Sequence, residues 1–236
     1  MVFPIAGGNE SKGYEISNSL RFNDGDSPKL TRTNSSGGDR QKFTTSFWIK
    51  RTSPGTINSI LQVGTSSTTD TGAFAVSINS ADKLFVGGGA TSYRQTNRLF
   101  RDPSAWYHIV IAVDSTDGTA DDRIKIYVNG VQETSFTTNN AMSQNQNTPV
   151  NESSKVHQIS ASQVANNYFI DGYLTEFHHI DGQQLLPTSF GEFDDNGVWI
   201  PIEYTGTYGT NGHFFEFKQT GTSANSSGIG ADTSGN

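Results

Sequence analysis

The chain has 236 residues, a formal net charge of −7, no cysteine and an apolar fraction of 33%. With no Lys/Arg run longer than two, it lacks a phosphate-neutralising surface and nucleic acid is a poor partner; the missing cysteines exclude disulfides, thiolate-bound zinc and a thiol nucleophile. The length allows burial of roughly 70% of the unfolded surface, and 25 glycines among abundant Ser, Thr and Asn favour many short strands over long helices.

Residues 1–19 are Gly, Ser and Asn rich, with Phe3 and Ile5 as isolated apolar points, and read as an arm that docks on a partner or stays mobile. They carry neither a basic segment nor a long apolar run, so no secretory signal is expected, and no stretch of the chain reads as a membrane span. Leu20-Arg21-Phe22 opens the first strand. Asn23-Asp24-Gly25-Asp26 turns it and Lys29 to Arg32 continues it. Two carboxylates flanking a glycine suit either a plain turn or a Ca²⁺ loop.

Phe43, Thr45, Phe47 and Ile49 alternate with Thr44, Ser46, Trp48 and Lys50, giving a strand with an apolar inner face. Ser53-Pro54-Gly55 stops it. Ile57 to Val63 forms another strand, and Phe74, Val76 and Ile78 pair as a hairpin with Leu84-Phe85-Val86. Gly87-Gly88-Gly89 lacks a following Gly-Lys-Ser/Thr and reads as a loop or bulge, not a phosphate cradle.

The centre of the chain is the stretch from Trp106 to Phe136. Tyr107 to Val113 is apolar on both alternating faces, so both faces of that strand should be covered. Ile124, Ile126 and Val128 alternate with Arg123, Lys125 and Tyr127. Asn129-Gly130 supplies the two positive-φ residues of a type I′ turn, and Val131 to Phe136 returns as the third strand of a meander.

Thr137 to Ser153 is an Asn/Gln-rich segment with Ala141, Met142 and Val150 as its apolar points, read as a binding loop, a subunit contact or a solvated excursion. Val156 to Ile159 is a short strand, Tyr168 to Ile180 a longer one broken at Asp171-Gly172, and Leu185 to Phe190 a single helical turn on the outside. Val198 to Pro201 and Phe214 to Phe217 are the last core-like runs. Residues 20–218 therefore form one β domain, and 219–236 read as a linker or tail.

KFTTSFWIKR (42–51), GAFAVSI (72–78), AWYHIVIAVD (105–114), RIKIYVNGV (123–131) and FIDGYLTEFHHIDGQQL (169–185) together resemble the laminin-G-like and pentraxin-like branch of the concanavalin A-like lectin/glucanase superfamily. The resemblance spans about residues 20–186. It implies an all-β fold, a jelly-roll β-sandwich of two antiparallel sheets. A narrower resemblance joins LRFNDGDSPKLTRT, DGYLTEFHHIDGQQLLPTSFGEFDDNGVWIP and the closing Asp-Thr-Ser-Gly-Asn to a sandwich domain of tailed-phage virion proteins. There more sequence usually follows, which leaves this chain a short version or a fragment.

The superfamily also holds glycosidases with a Glu-x-Asp-x-x-Glu strand. Glu192-Phe193-Asp194 begins that spacing, but Gly197 stands where the second glutamate belongs, and Glu176 and Glu216 read as lone acids. No Gly-x-Ser-x-Gly elbow occurs. His178 and His179 fall on opposite faces of a strand and cannot both ligate one ion, and His108 reads as a packed histidine with one satisfied hydrogen bond. No catalytic residue and no cofactor are assigned.

A glycan platform needs aromatic rings beside amides and carboxylates. Tyr93, Tyr204 and Tyr208 with Asn139 and Asn140 could form one, or could instead cover a sandwich edge or a subunit contact. The expected function is a non-catalytic structural or decorating protein of a tailed-phage virion, on capsid or tail. It is expected to be made in the host cytoplasm, homotrimeric, and in contact with other virion proteins. The alternative is a carbohydrate-binding module for host surface glycans.

Overall fold

A computed structural model describes residues 13–65, 68–164, 166–221 and 228–236. Their regular structure is strand apart from three single 3₁₀ turns. In chain order the strands are β1 (Leu20–Phe22), β2 (Leu30–Thr33), β3 (Lys42–Arg51), β4 (Asn58–Val63), β5 (Phe74–Ile78), β6 (Lys83–Gly88), β7 (Ser92–Leu99) and β8 (Tyr107–Asp114). There follow β9 (Ile124–Val128), β10 (Val131–Gln132), β11 (Phe136–Asn139), β12 (Val156–Ile159), β13 (Gly172–Asp181), β14 (Gly191–Phe193), β15 (Trp199–Pro201) and β16 (His213–Phe215). One antiparallel sheet runs β1-β13-β3-β8-β9-β10, with β16 added to β13, and the other runs β11-β7-β6-β5-β4-β12-β2. β14 and β15 form a separate hairpin. This is the expected jelly-roll sandwich.

The core between the sheets follows the period-two pattern. Phe43, Phe47 and Ile49 of β3, Ile109, Ile111 and Val113 of β8, and Val76, Ile78, Leu84 and Val86 opposite them are all fully buried. Each such side chain contributes about 1.5–3 kcal/mol of transfer free energy. The alternate residues of β8 are buried as well, because residues 183–208 fold over the outer face of that sheet. Val110, Ala112, Tyr127, Ile180 and Phe190 form a second apolar cluster there, with Leu185, Tyr204 and Tyr208 packed against it. The two covered faces expected of β8 are thus explained by a cover that comes from far along the chain.

At the β9–β10 turn Asn129 has φ 48° and Gly130 φ 80°, with Val131 opposite Val128, as a type I′ hairpin requires. Gly130 is also needed for close approach: a Cβ there would lie 2.3 Å from Cε3 of Trp199.

Four sequence expectations change. Phe136 is not the end of the meander: β10 stops at Gln132, both of its residues are exposed, and the chain crosses so that Phe136 pairs with Thr96 of β7, packs on the core and lies under the Arg94 guanidinium. β1 and β2 belong to different sheets, pairing with β13 and β12, so the 23–29 segment is a crossover. Thr137 to Ser153 is not a solvated excursion: it starts within β11, Met142 and Val150 are wholly buried in the main core, and Thr148 and Asn151 are sealed beside them. Residues 228–236 do not trail away either. Ile229 packs on the core, and Asp232 accepts the Phe214 and Ser234 amides while pairing with Arg32. Phe3 and Ile5 lie outside the described residues.

Candidate functional site

β13 carries the irregularity that builds the site. Thr175 stands opposite Trp48 and His178 opposite Ser46, so Glu176 and Phe177 together face one residue of β3. This is a β-bulge, and Glu176 takes φ 48° in it, a left-handed conformation uncommon for a residue other than Gly, Asn or Asp. Phe177 is thereby kept in the core, while Glu176 is turned to the outer face of the sheet and buried there. Its carboxylate accepts the Tyr14 hydroxyl at 2.8 Å and lies 3.5 Å from His178 Nε2. Thr175 Oγ1 donates to Asn18 O, so residues 13–19 are held along the bulge.

Beside Glu176 opens a cavity of about 230 Å³ bordered by Tyr14, Tyr204, Tyr208, Glu203, Glu216 and Lys218. The rings of Tyr204 and Tyr208 meet edge to face, 5.2 Å apart at 82°. Phe214 stacks on His178 at 4.1 Å, and Tyr208 shares a 2.9 Å hydrogen bond with His178 Nδ1. Burial, then the hydrogen bond to Glu176, pushes the Tyr14 phenol well above its usual value, and burial raises those of Tyr204 and Tyr208. All three remain protonated, with their hydrogens directed to Glu176, to Thr207 O and to His178 Nδ1, so each offers its oxygen to the cavity as an acceptor. Lys218 pairs with Glu216 at 2.6 Å, and that hydrogen bond raises its ammonium pKa.

The five histidines are buried in two groups. On the outer face, Trp199 Nε1–H donates to His108 Nδ1 at 2.9 Å. The His108 proton therefore sits on Nε2, facing Ser46 Oγ at 2.8 Å. His108 stacks on Trp48 and has two hydrogen-bond partners, Ser46 and Trp199, one more than the sequence pattern implied. In the sandwich interior, His157, His179 and His213 lie with ring centroids 5.1–6.0 Å apart. Asn151 joins them: its amide N–H reaches His157 Nε2, its side-chain oxygen takes His179 Nε2–H, and its side-chain NH₂ donates to Asp181 and to Asp39 O. Burial lowers His108 and His157 to about 3 and His213 to about 4, and drives His179 well below its ordinary value. At neutral pH these groups are uncharged hydrogen-bonding elements of the fold. His178 and His179 do point to opposite faces, as the strand period required.

The residues anticipated for a glycan platform are separated. Tyr204 and Tyr208 share the cleft over the first sheet. Tyr93 is 1% exposed on the second sheet, where Gln146 Nε2 donates to its hydroxyl, so it offers no surface ring. Asn139 and Asn140 are exposed on the edge of that sheet, and Asn140 ties back to β7. Asn23 to Asp26 is a 3₁₀ turn in which the Asn23 amide donates to Asp26 Oδ2 at 2.7 Å, and among the described residues no group of three or more His, Asp or Glu is placed to hold a metal ion. Glu192 is exposed on β14 and Gly197 lies in the following turn at φ 77°. The two acids read as lone, Glu176 and Glu216, come together around Tyr14 and His178, Glu216 bordering the cavity and Glu176 beside it. A signal for this was present: core residues Leu174 and Phe177 are three apart, a phase break in a period-two strand.

A family model for the concanavalin A-like lectin/glucanases superfamily matches residues 23–183. No curated protein matches the chain by sequence. Among solved structures the chain is similar to a candidate carbohydrate-binding protein from Bacteroides ovatus at 13% identity and TM-score 0.54, covering 87% of this chain and 53% of that one. It is also similar to mouse laminin α1 domains LG4-5 (13% identity, TM-score 0.49, 84% and 48% covered). A third is the heptameric SAP-like pentraxin of Limulus polyphemus (16% identity, TM-score 0.47, 67% and 71% covered). The chain thus spans about half the length of the first two proteins, and at these identities the likeness is one of fold. On the match over residues 23–183 and the two-sheet jelly roll, the chain belongs to the concanavalin A-like lectin/glucanases superfamily.

Proposed function

We propose that this domain binds carbohydrate in the cleft over β13. The observation that carries the reading is the 230 Å³ cavity in which two tyrosine rings, three phenol oxygens, two carboxylates and one ammonium converge. Sugars present apolar C–H faces and rims of hydroxyls, and a site for them needs aromatic faces beside fixed donors and acceptors. Membership of a superfamily named for lectins and glucanases supports the same reading, as does the likeness in fold to the Bacteroides ovatus protein. The test is binding of host-surface polysaccharide by calorimetry, with and without a chelator. Tyr204→Ala and Tyr208→Ala are each expected to weaken binding by about 1 kcal/mol or more, several-fold. Absence of binding under every condition refutes it, and loss of binding only with chelator establishes a calcium requirement.

A tailed-phage particle is the proposed setting, with the module as a homotrimeric capsid-decorating or tail component. The stretch 171–201, one of the segments that resemble virion sandwich domains, supplies β13 beneath the cleft and Phe190 of the cluster that covers that sheet. Antibody labelling of purified particles tests this: dense label on heads indicates decoration, sparse label at tails indicates host attachment, and no label removes the particle from the reading. A monomer at micromolar concentration rules out the trimer.

A further inference from the structure

A second cavity adjoins the first and is nearly twice its size. It measures about 410 Å³ and is bordered by Trp48, Trp106, Ile200, Pro201 and Thr175, with residues 13–19 along one side. The two cavities share Tyr14. Beneath their junction, the space bordered by Trp48, Pro201, Glu176 and His178 is too small for a water molecule, so the two cavities meet at Tyr14 above it. Along β13, Thr175 faces the indole cavity, Glu176 the junction and His178 the tyrosine cavity. The bulge has laid two aromatic chambers end to end.

The orientation of these rings is fixed. Trp48 stacks on His108 at 4.8 Å and 26°, and His108 is itself clamped by Ser46 and by the Trp199 indole N–H. Trp106 leans on Tyr173 at 6.4 Å, and the Arg21 guanidinium lies over the Tyr173 ring at 5.3 Å. Rings held in this way stack on a ligand at little entropic cost. The tyrosine cavity alone falls below the roughly 300–1,000 Å³ of most small-molecule sites, whereas with its neighbour the groove lies within that range.

Charge narrows the ligand. Glu15 borders the indole cavity, Glu176 the junction, and Glu203 and Glu216 the tyrosine cavity, while Lys218 is the only cation among the described bordering residues and is paired to Glu216. A carboxylated or sulfated sugar entering this groove meets like charge with no free counter-ion, which costs affinity. Building on the carbohydrate-binding reading, we infer that the indole cavity is a second subsite of the same groove. The ligand is then a linear oligosaccharide without anionic substituents, spanning from Trp106 to Tyr208.

The experiment titrates the protein with ladders from monosaccharide to hexasaccharide of glucan, mannan, galactan and N-acetylglucosamine, with alginate and sialylated ladders as the anionic arm. Affinity for a neutral ladder is expected to rise by about tenfold or more with length, equivalent to about 1.4 kcal/mol. Trp106→Ala is expected to erase that rise and leave the shortest ligand bound within about twofold, and Trp106→Phe to restore part of it. Thermal melts of both variants check folding. Length-independent binding lost on Tyr208→Ala keeps the tyrosine site and overturns the second subsite. Tighter binding of an anionic ladder overturns the charge argument. Failure of every ladder overturns the carbohydrate reading itself, and the second subsite with it.

Discussion

Acid should unfold this domain earlier than its carboxylates alone would cause. His108 and His157 have pKa values near 3 in the fold, chiefly through burial, against about 6.5 in an unfolded chain. The sign follows from proton linkage. Between those values the unfolded state binds more protons than the folded state, so the stability present above pH 6.5 is lost as pH falls through the window. At about pH 5 each histidine costs about 2 kcal/mol, and the two together about 4 kcal/mol. His213, held near 4, adds in the same sense, and His178 and His179 are also lowered. A domain of this kind has about 5–15 kcal/mol of stability in all. The aspartates held low by hydrogen bonds and ion pairs, among them Asp82, Asp114 and Asp171, lose their contribution only below about pH 4. The interval from about pH 7 to pH 5 therefore isolates the histidines. Asp181, raised by burial, works in the opposite direction as a single group. The assay is urea unfolding followed by tryptophan fluorescence at both pH values. His157→Gln should shrink the pH-dependent loss by about 2 kcal/mol, because it removes one titrating group. Stability at about pH 5 within about 1 kcal/mol of that at neutral pH would refute the reasoning, since it would mean that these imidazoles accept protons without leaving their buried sites.

Two further predictions concern stability at neutral pH. Asp82→Ala strands Arg51, a guanidinium only 1% exposed that pairs with Asp82 at 3.0 Å and donates to Asn58 and three backbone carbonyls, and should cost about 3–5 kcal/mol in urea titration. A loss below about 1 kcal/mol would show that the pair is solvated. Met142→Ala should cost about 2–5 kcal/mol because its side chain fills the main core from the Asn/Gln-rich segment. A solvated loop would give less than about 0.5 kcal/mol, which thermal melts resolve readily.

The local pattern of the chain determined the class of fold, because strand periodicity and turn chemistry depend on near neighbours. The alternation in β3, β5 and β8 marked the inward residues, Asn129-Gly130 marked a I′ hairpin, and the doubly apolar β8 announced a covered face before any cover could be identified. The opposite facing of His178 and His179 followed from the same period. What the tertiary structure decided was every relation that joins distant segments. Tyr204 and Tyr208 form one wall of a cleft while Tyr93 is sealed in the other half of the sandwich, because composition says which rings exist but not which sheet each serves. The buried histidine cluster draws on β12, β13 and β16, and Met142 reaches the core from a segment whose polar composition spoke for solvent. The cleft arises from one extra residue in β13, which turns Glu176 outward and lets Tyr14, more than 160 positions away, bind its carboxylate. A bulge is set by the balance of register, core packing on both faces and the contacts of its turned-out residue. That balance exists only when the distant partners are in place.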